Sequence, residues 1–129
     1  MHMSDDMRSR LSQLFDKAEG DSSWKLQNFP VFAPRQSLTQ FLVRYHLFER
    51  VLGVQGSIVE CGVFGGGGLM SWLHFSSILE PLNYQRRIIG FDTFEGFADM
   101  ATEDKPEIAP LARKGSLALD SFNLLAESA

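Results

Sequence analysis

Four consecutive glycines, Gly65 to Gly68, follow the short β-rich run Ser57 to Val63 (SIVECGV) and precede the apolar run Leu69 to Leu79 (LMSWLHFSSIL), which Pro81 closes. Few folds place a strand, a glycine turn and a helix in that order. Glycine lets the backbone take left-handed dihedrals and lets a ligand approach the main chain closely. The helix behind the turn aims its free amides at whatever sits there. Arg87 to Phe91 (RIIGF) reads as a second strand ending at Asp92. Strand, turn, helix and strand make one βαβ unit, and such units are right-handed and parallel. The fold class expected is α/β, a Rossmann-like parallel sheet.

Upstream, Met7, Leu11, Leu14, Phe15 and Ala18 recur at helical spacing behind Asp5 and Asp6. Acids there favour a helix N-terminus, so a first amphipathic helix is predicted to end near Gly20. Asp21 to Pro34 (DSSWKLQNFPVFAP) has two prolines and no period, and reads as a linker or arm whose Trp24, Phe29 and Phe32 pack on something. Ser37 and Gln40 make an S-x-x-Q capping box. Behind it Leu38, Phe41, Leu42, Tyr45, Phe48, Val51 and Leu52 share a face, and Gly53 stops the helix. The expected division is an N-terminal helix and arm over residues 1–36, then the N-terminal part of a Rossmann-like domain over residues 37–129. Asp99 to Gly115 is polar and reads as a loop; Ser116 to Glu127 reads as a last helix. With only two strands legible, a strand edge should be exposed, which predicts a chain marginal by itself or paired with another copy.

The whole-chain numbers narrow the class. A length of 129 residues allows one domain, and a formal charge of −4 offers no electrostatic footprint for nucleic acid. The single cysteine, Cys61, excludes an internal disulfide and fits a reducing, cytoplasmic setting. The opening MHMSDDMRSR carries no apolar h-region, so a secretory signal is not expected there. No apolar run reaches the roughly 18 residues that span a bilayer, so a membrane role is not expected.

The ligand of the glycine turn follows from what is missing. No lysine follows Gly68, so a Walker A loop fails. Gly62 is followed by Val63 and Phe64, so the G-x-G-x-x-G dinucleotide fingerprint is broken. From Ser57 to Gln85 there is no lysine or arginine, while Glu60 stands two residues before Gly62. A carboxylate there opposes a pyrophosphate and suits a ligand with an ammonium and a sulfonium. S-adenosylmethionine (SAM) is such a ligand. Asp92, at the carboxyl end of the second strand, can accept from two ribose hydroxyls, and Phe94 can lie against an adenine face. Blander roles stay open beside these: Glu60 as a carboxylate capping backbone amides, Asp92 as a cap of the next segment, Cys61 as a small packing residue, His46 and His74 as surface or packing residues. Arg35 reads equally as a salt-bridged arm residue and as a contact to the SAM carboxylate. Arg86 and Arg87 read as a solvated turn, and Trp72, Phe75 and the phenylalanines of the second helix as core.

The runs GSIVECGVFGGGG (Gly56 to Gly68) and IIGFDTFEGF (Ile88 to Phe97), with the flanks PRQSLTQFLVRY (Pro34 to Tyr45) and KGSLALDSFNLL (Lys114 to Leu125), resemble the macrocin O-methyltransferase (TylF-like) family. The resemblance covers about Phe29 to the end of the chain. It implies that Glu60, Cys61, Gly62 and Val63, with the turn glycine Gly66, hold the methionine part of SAM. It implies that Asp92, Thr93, Phe94, Glu95 and Gly96 hold ribose and adenine, that Ser121 touches the adenine end, and that Phe32 to Arg35 closes over the cofactor. It further implies methyl transfer to a hydroxyl of a sugar or natural-product acceptor, small molecule or glycan. The family's acidic segment, of the L-Y-L-D-x-D type, would bind Mg²⁺ and orient the acceptor. It has no match here, and Glu103, Asp104 and Glu107 do not fit it. The catalytic residues are therefore expected beyond Ala129, no metal ligand is assigned in this chain, and an incomplete chain, inactive alone, is the expectation. Two other classes fit less of the pattern: an NAD(P)-binding oxidoreductase fragment, and a non-catalytic binding or assembly protein.

Overall fold

The computed structural model describes residues 5–93. The element order is α1 (Asp5–Lys17), α2 (Ser22–Gln27), α3 (Phe29–Phe32), α4 (Arg35–Val51), β1 (Ile58–Cys61), α5 (Gly67–Leu79) and β2 (Ile88–Phe91). The chain forms two compact units, Met1–His46 and Leu47–Ala129, and the boundary falls inside α4. The readings of residues 99–127 as a loop and a last helix lie outside the described residues.

In the first unit the stretch read as an arm is helical. Asp21 caps α2: its Oδ1 accepts the Trp24 amide at 2.8 Å, which satisfies one of the free amides of the first turn. Pro30 sits in the first turn of α3, where a missing N–H costs nothing. Pro30 therefore starts a short helix instead of preventing one, and Pro34 stands just before the 17-residue α4. The aromatic residues do pack: Phe32 meets Phe15 edge-on at 5.3 Å and Trp24 at 6.4 Å between centroids. The Lys25 ammonium lies 4.6 Å from the Phe15 ring centre and also donates to the Phe15 carbonyl. The capping-box reading is corrected as well. α4 starts at Arg35, with the Leu38 amide bonded to the Pro34 carbonyl, so Ser37 already lies within the first turn.

In the second unit, β1 and β2 pair in parallel with Ile58 opposite Ile88 and Cys61 opposite Phe91. α5 connects them and packs on both. It begins at Gly67, so the last two turn glycines belong to the helix. Gly90 makes its approach to the sheet feasible: a Cβ there would lie 2.7 Å from Val63 Cγ2 and 3.0 Å from Leu69 Cδ2. The core is aromatic. Phe48 is fully buried, stacked with Trp72 at 6.5 Å and tilted against Phe75 at 6.0 Å. Phe41, further back on α4, is 38 % exposed. Gly53 ends α4 in the left-handed region (φ 81°), as its position suggested. The opposite face of the strand pair carries Val59, Cys61 and Phe91, all exposed.

Arg86 overturns its sequence reading. Its side chain is only 3 % exposed. Nε and Nη2 donate to Glu80 Oε2 and Oε1 at 2.8 and 2.6 Å, Nη1 to the Gly56 carbonyl at 3.0 Å, and Nη2 to the Val51 carbonyl at 3.1 Å. Its guanidinium also lies 5.8 Å from the Phe48 ring centre. One planar cation thus joins the end of α4, the chain before β1 and the residue following α5. Arg87 remains exposed.

The paired guanidinium holds the Glu80 carboxyl below the usual carboxylate range, against the opposing effect of desolvation. A depressed carboxylate stabilises the fold above its ordinary value, and that contribution is lost as pH falls through the lowered value. Glu80→Gln should therefore reduce stability at neutral pH, by about 3–5 kcal/mol if the guanidinium is left buried and unpaired. It should also flatten the loss of urea resistance of the parent chain below about pH 4. Urea melts of both chains across that range check it. Gly90→Ala should cost about 1–3 kcal/mol by overpacking against Val63 and Leu69 in the same assay.

Candidate cofactor site at the strand ends

Parallel pairing puts the carboxyl ends of β1 and β2 side by side, and the glycine turn rises from the first of them. Gly62 (φ 79°), Phe64 (φ 51°) and Gly66 (φ 83°) are all left-handed. For glycine that is free of steric cost; for phenylalanine it costs on the order of 1–3 kcal/mol. The turn is held from three sides. The Gly62 amide donates to the Phe91 carbonyl at 2.8 Å, and the Gly66 amide to the Val63 carbonyl at 2.9 Å. The Phe64 amide donates to Asp92 Oδ2 at 2.8 Å. Val63 is buried beneath the turn, whereas the Phe64 side chain is 48 % exposed above it.

Gly66 is the N-cap of α5 and brings no side chain to its open amides. Glu60 lies against that end of the helix. Its carboxylate occupies the space a Cβ on Gly68 would need, with the carboxyl carbon 2.9 Å from that point. A negative charge beside the first turn is favoured by the helix dipole. The same carboxylate borders the turn. Beside Gly62 and Gly67 no atom of the described residues, the adjoining chain apart, lies within 4 Å of the Cβ position, which leaves the main chain there room for a ligand.

The structure thus brings Glu60, Cys61, Gly62, Val63, Gly66, Asp92 and Thr93 to one edge of the strand pair. Cys61 is exposed at the end of β1. Arg35 is the first residue of α4, in the other unit. Phe94, Glu95, Gly96 and Ser121 lie outside the described residues. Sequence reasoning missed Phe64, whose left-handed backbone and bond to Asp92 no local pattern signals. Among the described residues there is no group of three or more His, Cys, Asp or Glu that could hold a metal ion. Nor is any described helix long and apolar enough to cross a membrane.

A cleft of about 330 Å³ lined by Leu73, Ser76, Glu80, Arg86 and Ile88 lies at the opposite end of the strands. Its two charged groups are bonded to each other, so it offers a ligand little beyond shape.

The residues at the strand ends fit a SAM-like ligand. There is open backbone beside Gly62, a carboxylate at the helix start, and a second carboxylate where a ribose would lie. Gly66→Ala should cost about 1–3 kcal/mol, because a Cβ would be forced into the left-handed region. Thermal melts of the two chains measure it.

No protein-family model matches the chain, and no curated protein matches it. Solved structures do. The chain is similar to the crystal structure of CalS11, a calicheamicin methyltransferase, with a TM-score of 0.84 and 31 % identity over 99 % of this chain and 50 % of that one. It is similar also to the apo structure of CalS11, described as a TDP-rhamnose 3'-O-methyltransferase of calicheamicin biosynthesis. There the TM-score is 0.69 and the identity 35 %, over 78 % of this chain and 44 % of that one. The chain spans about half the length of these structures. The parallel pair, its crossover helix and this likeness make the second unit the first βαβ portion of a Rossmann-like methyltransferase fold.

Proposed function

We propose that the chain is the cofactor-binding part of a SAM-dependent O-methyltransferase of the macrocin O-methyltransferase (TylF-like) kind, acting on a hydroxyl of a sugar or natural product. The observation that carries the reading is the pairing of an open glycine turn with Asp92 at the adjacent strand end, in a chain alike over nearly all its length to a methyltransferase. The O-methyl assignment and the sugar acceptor draw on what CalS11 is described as doing.

In this reading the Gly62 backbone gives the methionine end of the ligand room beside the main chain. Glu60 supplies negative charge facing its cationic groups. Asp92 accepts from the ribose, and Thr93 to Gly96 follow along the adenosine. The bound cofactor supplies an electrophilic sulfonium methyl for in-line displacement by the acceptor oxygen. The base that deprotonates the acceptor, and the Mg²⁺ expected in the family, belong to segments other than the described residues. Roles for Arg35 and Ser121 in cofactor binding rest on the family resemblance alone. A cytoplasmic location and self-association belong to the same reading.

Calorimetric titration of S-adenosylhomocysteine into the chain tests it. Saturable binding is expected, weakened at least about tenfold in the Glu60→Gln, Asp92→Asn double variant, which loses two charge-assisted contacts. Saturable binding of a nicotinamide dinucleotide in place of S-adenosylhomocysteine would turn the assignment to an oxidoreductase fragment.

A further inference from the structure

The carboxylate proposed to hold the ribose has a second duty. Phe64 is a bulky residue held at φ 51°, where it is disfavoured. Its amide is fixed to Asp92 Oδ2 at 2.8 Å, across a separation that only the β1–β2 pairing brings together. The turn around it has no lysine or arginine to shape it, and the cap residue Gly66 has no side chain to hold the helix start. Among the bonds described for the turn, the Gly62 and Gly66 amides donate to backbone carbonyls and the Phe64 amide donates to this carboxylate. A bond to an ionised acceptor is also stronger than one between neutral groups.

We propose that Asp92 is a positioning residue for the glycine turn: by holding the Phe64 amide it keeps the left-handed turn in the shape that receives the methionine end of the ligand, apart from any contact it makes with the ribose. The inference rests on the cofactor reading above. It goes further in assigning Asp92 an effect on a part of the ligand it does not touch. Binding at the two ends is then coupled through one carboxylate, since whatever reorients Asp92 also loosens the turn.

The test uses the 2',3'-dideoxy analogue of S-adenosylhomocysteine, which has no ribose hydroxyl to offer Asp92. A residue that acted through the ribose alone would not affect its affinity. Asp92→Ala should weaken the analogue by about ten- to a hundredfold, the range of a lost charge-assisted hydrogen bond. Asp92→Asn should rescue it to within a few fold, because its carbonyl oxygen still accepts the Phe64 amide, while S-adenosylhomocysteine itself stays weakened. Equal affinity of the analogue for the parent chain and Asp92→Ala overturns the proposal. So does an Asn variant that binds the analogue about ten- to a hundredfold more weakly than the parent chain, an arm that stands if the Ala variant fails to fold.

Hydrogen exchange of the ligand-free chain separates this inference from the cofactor reading. The Phe64 and Gly66 amides should exchange at least about tenfold faster in Asp92→Ala, with the Ile88 and Ile89 amides unchanged. If S-adenosylhomocysteine does not bind the parent chain, the cofactor reading fails. Exchange then decides the clamp by itself: faster exchange at Phe64 upholds it, and unchanged exchange overturns it.

Discussion

The Arg86 guanidinium sets the frame in which the site at the other end of the strands can exist. It is almost wholly removed from water, and four of its N–H groups find acceptors in Glu80 and in the carbonyls of Val51 and Gly56. Those acceptors come from segments far apart in sequence. The cation therefore fixes where α4 stops, where the chain enters β1 and where α5 hands over to β2. A lysine would carry the charge but not the planar fork that spans a carboxylate while reaching two carbonyls. With that end closed, parallel pairing determines the rest: Glu60, Gly62 and Asp92 emerge on a common edge because their strands run the same way.

The two ends of the strand pair divide the work between them. At the amino end the charges are paired and buried, and they serve cohesion. At the carboxyl end the backbone is open, Glu60 lies against a helix start and Asp92 holds a strained turn. The absence of basic residues between Ser57 and Gln85 keeps that end hospitable to positive charge. A cleft exists at the amino end too, but its polar groups already satisfy each other, which is why chemistry rather than cavity size locates the site.

Much of this was legible in the sequence, and the reason is locality. A strand, a glycine turn, an apolar helix and a second strand are each written in short runs, and β1, α5 and β2 appear where those runs lie. Gly53 was readable as a helix stop because one left-handed residue suffices. What was illegible depended on partners distant along the chain. Arg86 looks like a surface residue beside Arg87, and only the fold brings Glu80, Val51 and Gly56 around it. Phe64 looks like one more apolar residue, and its backbone is explained only by Asp92 on the next strand. The helices of the arm are hidden for a subtler cause: they are too short to show a period, Pro30 fits the first turn of one, and the Asp21 cap of the other is a single side chain.

The parallel register has a further consequence for how the site comes into being. Each β1 residue pairs with one in the very next strand, joined by a single helix that packs on both. The chain entropy lost in closing that connection is modest, because loop-closure cost grows only slowly with length. The turn and Asp92 nevertheless lie on strands whose paired residues are about thirty positions apart, and parallel pairing across such a separation is slow. The glycine turn therefore takes its final shape only when the second strand docks, so its geometry is a product of sheet closure and not of the local sequence.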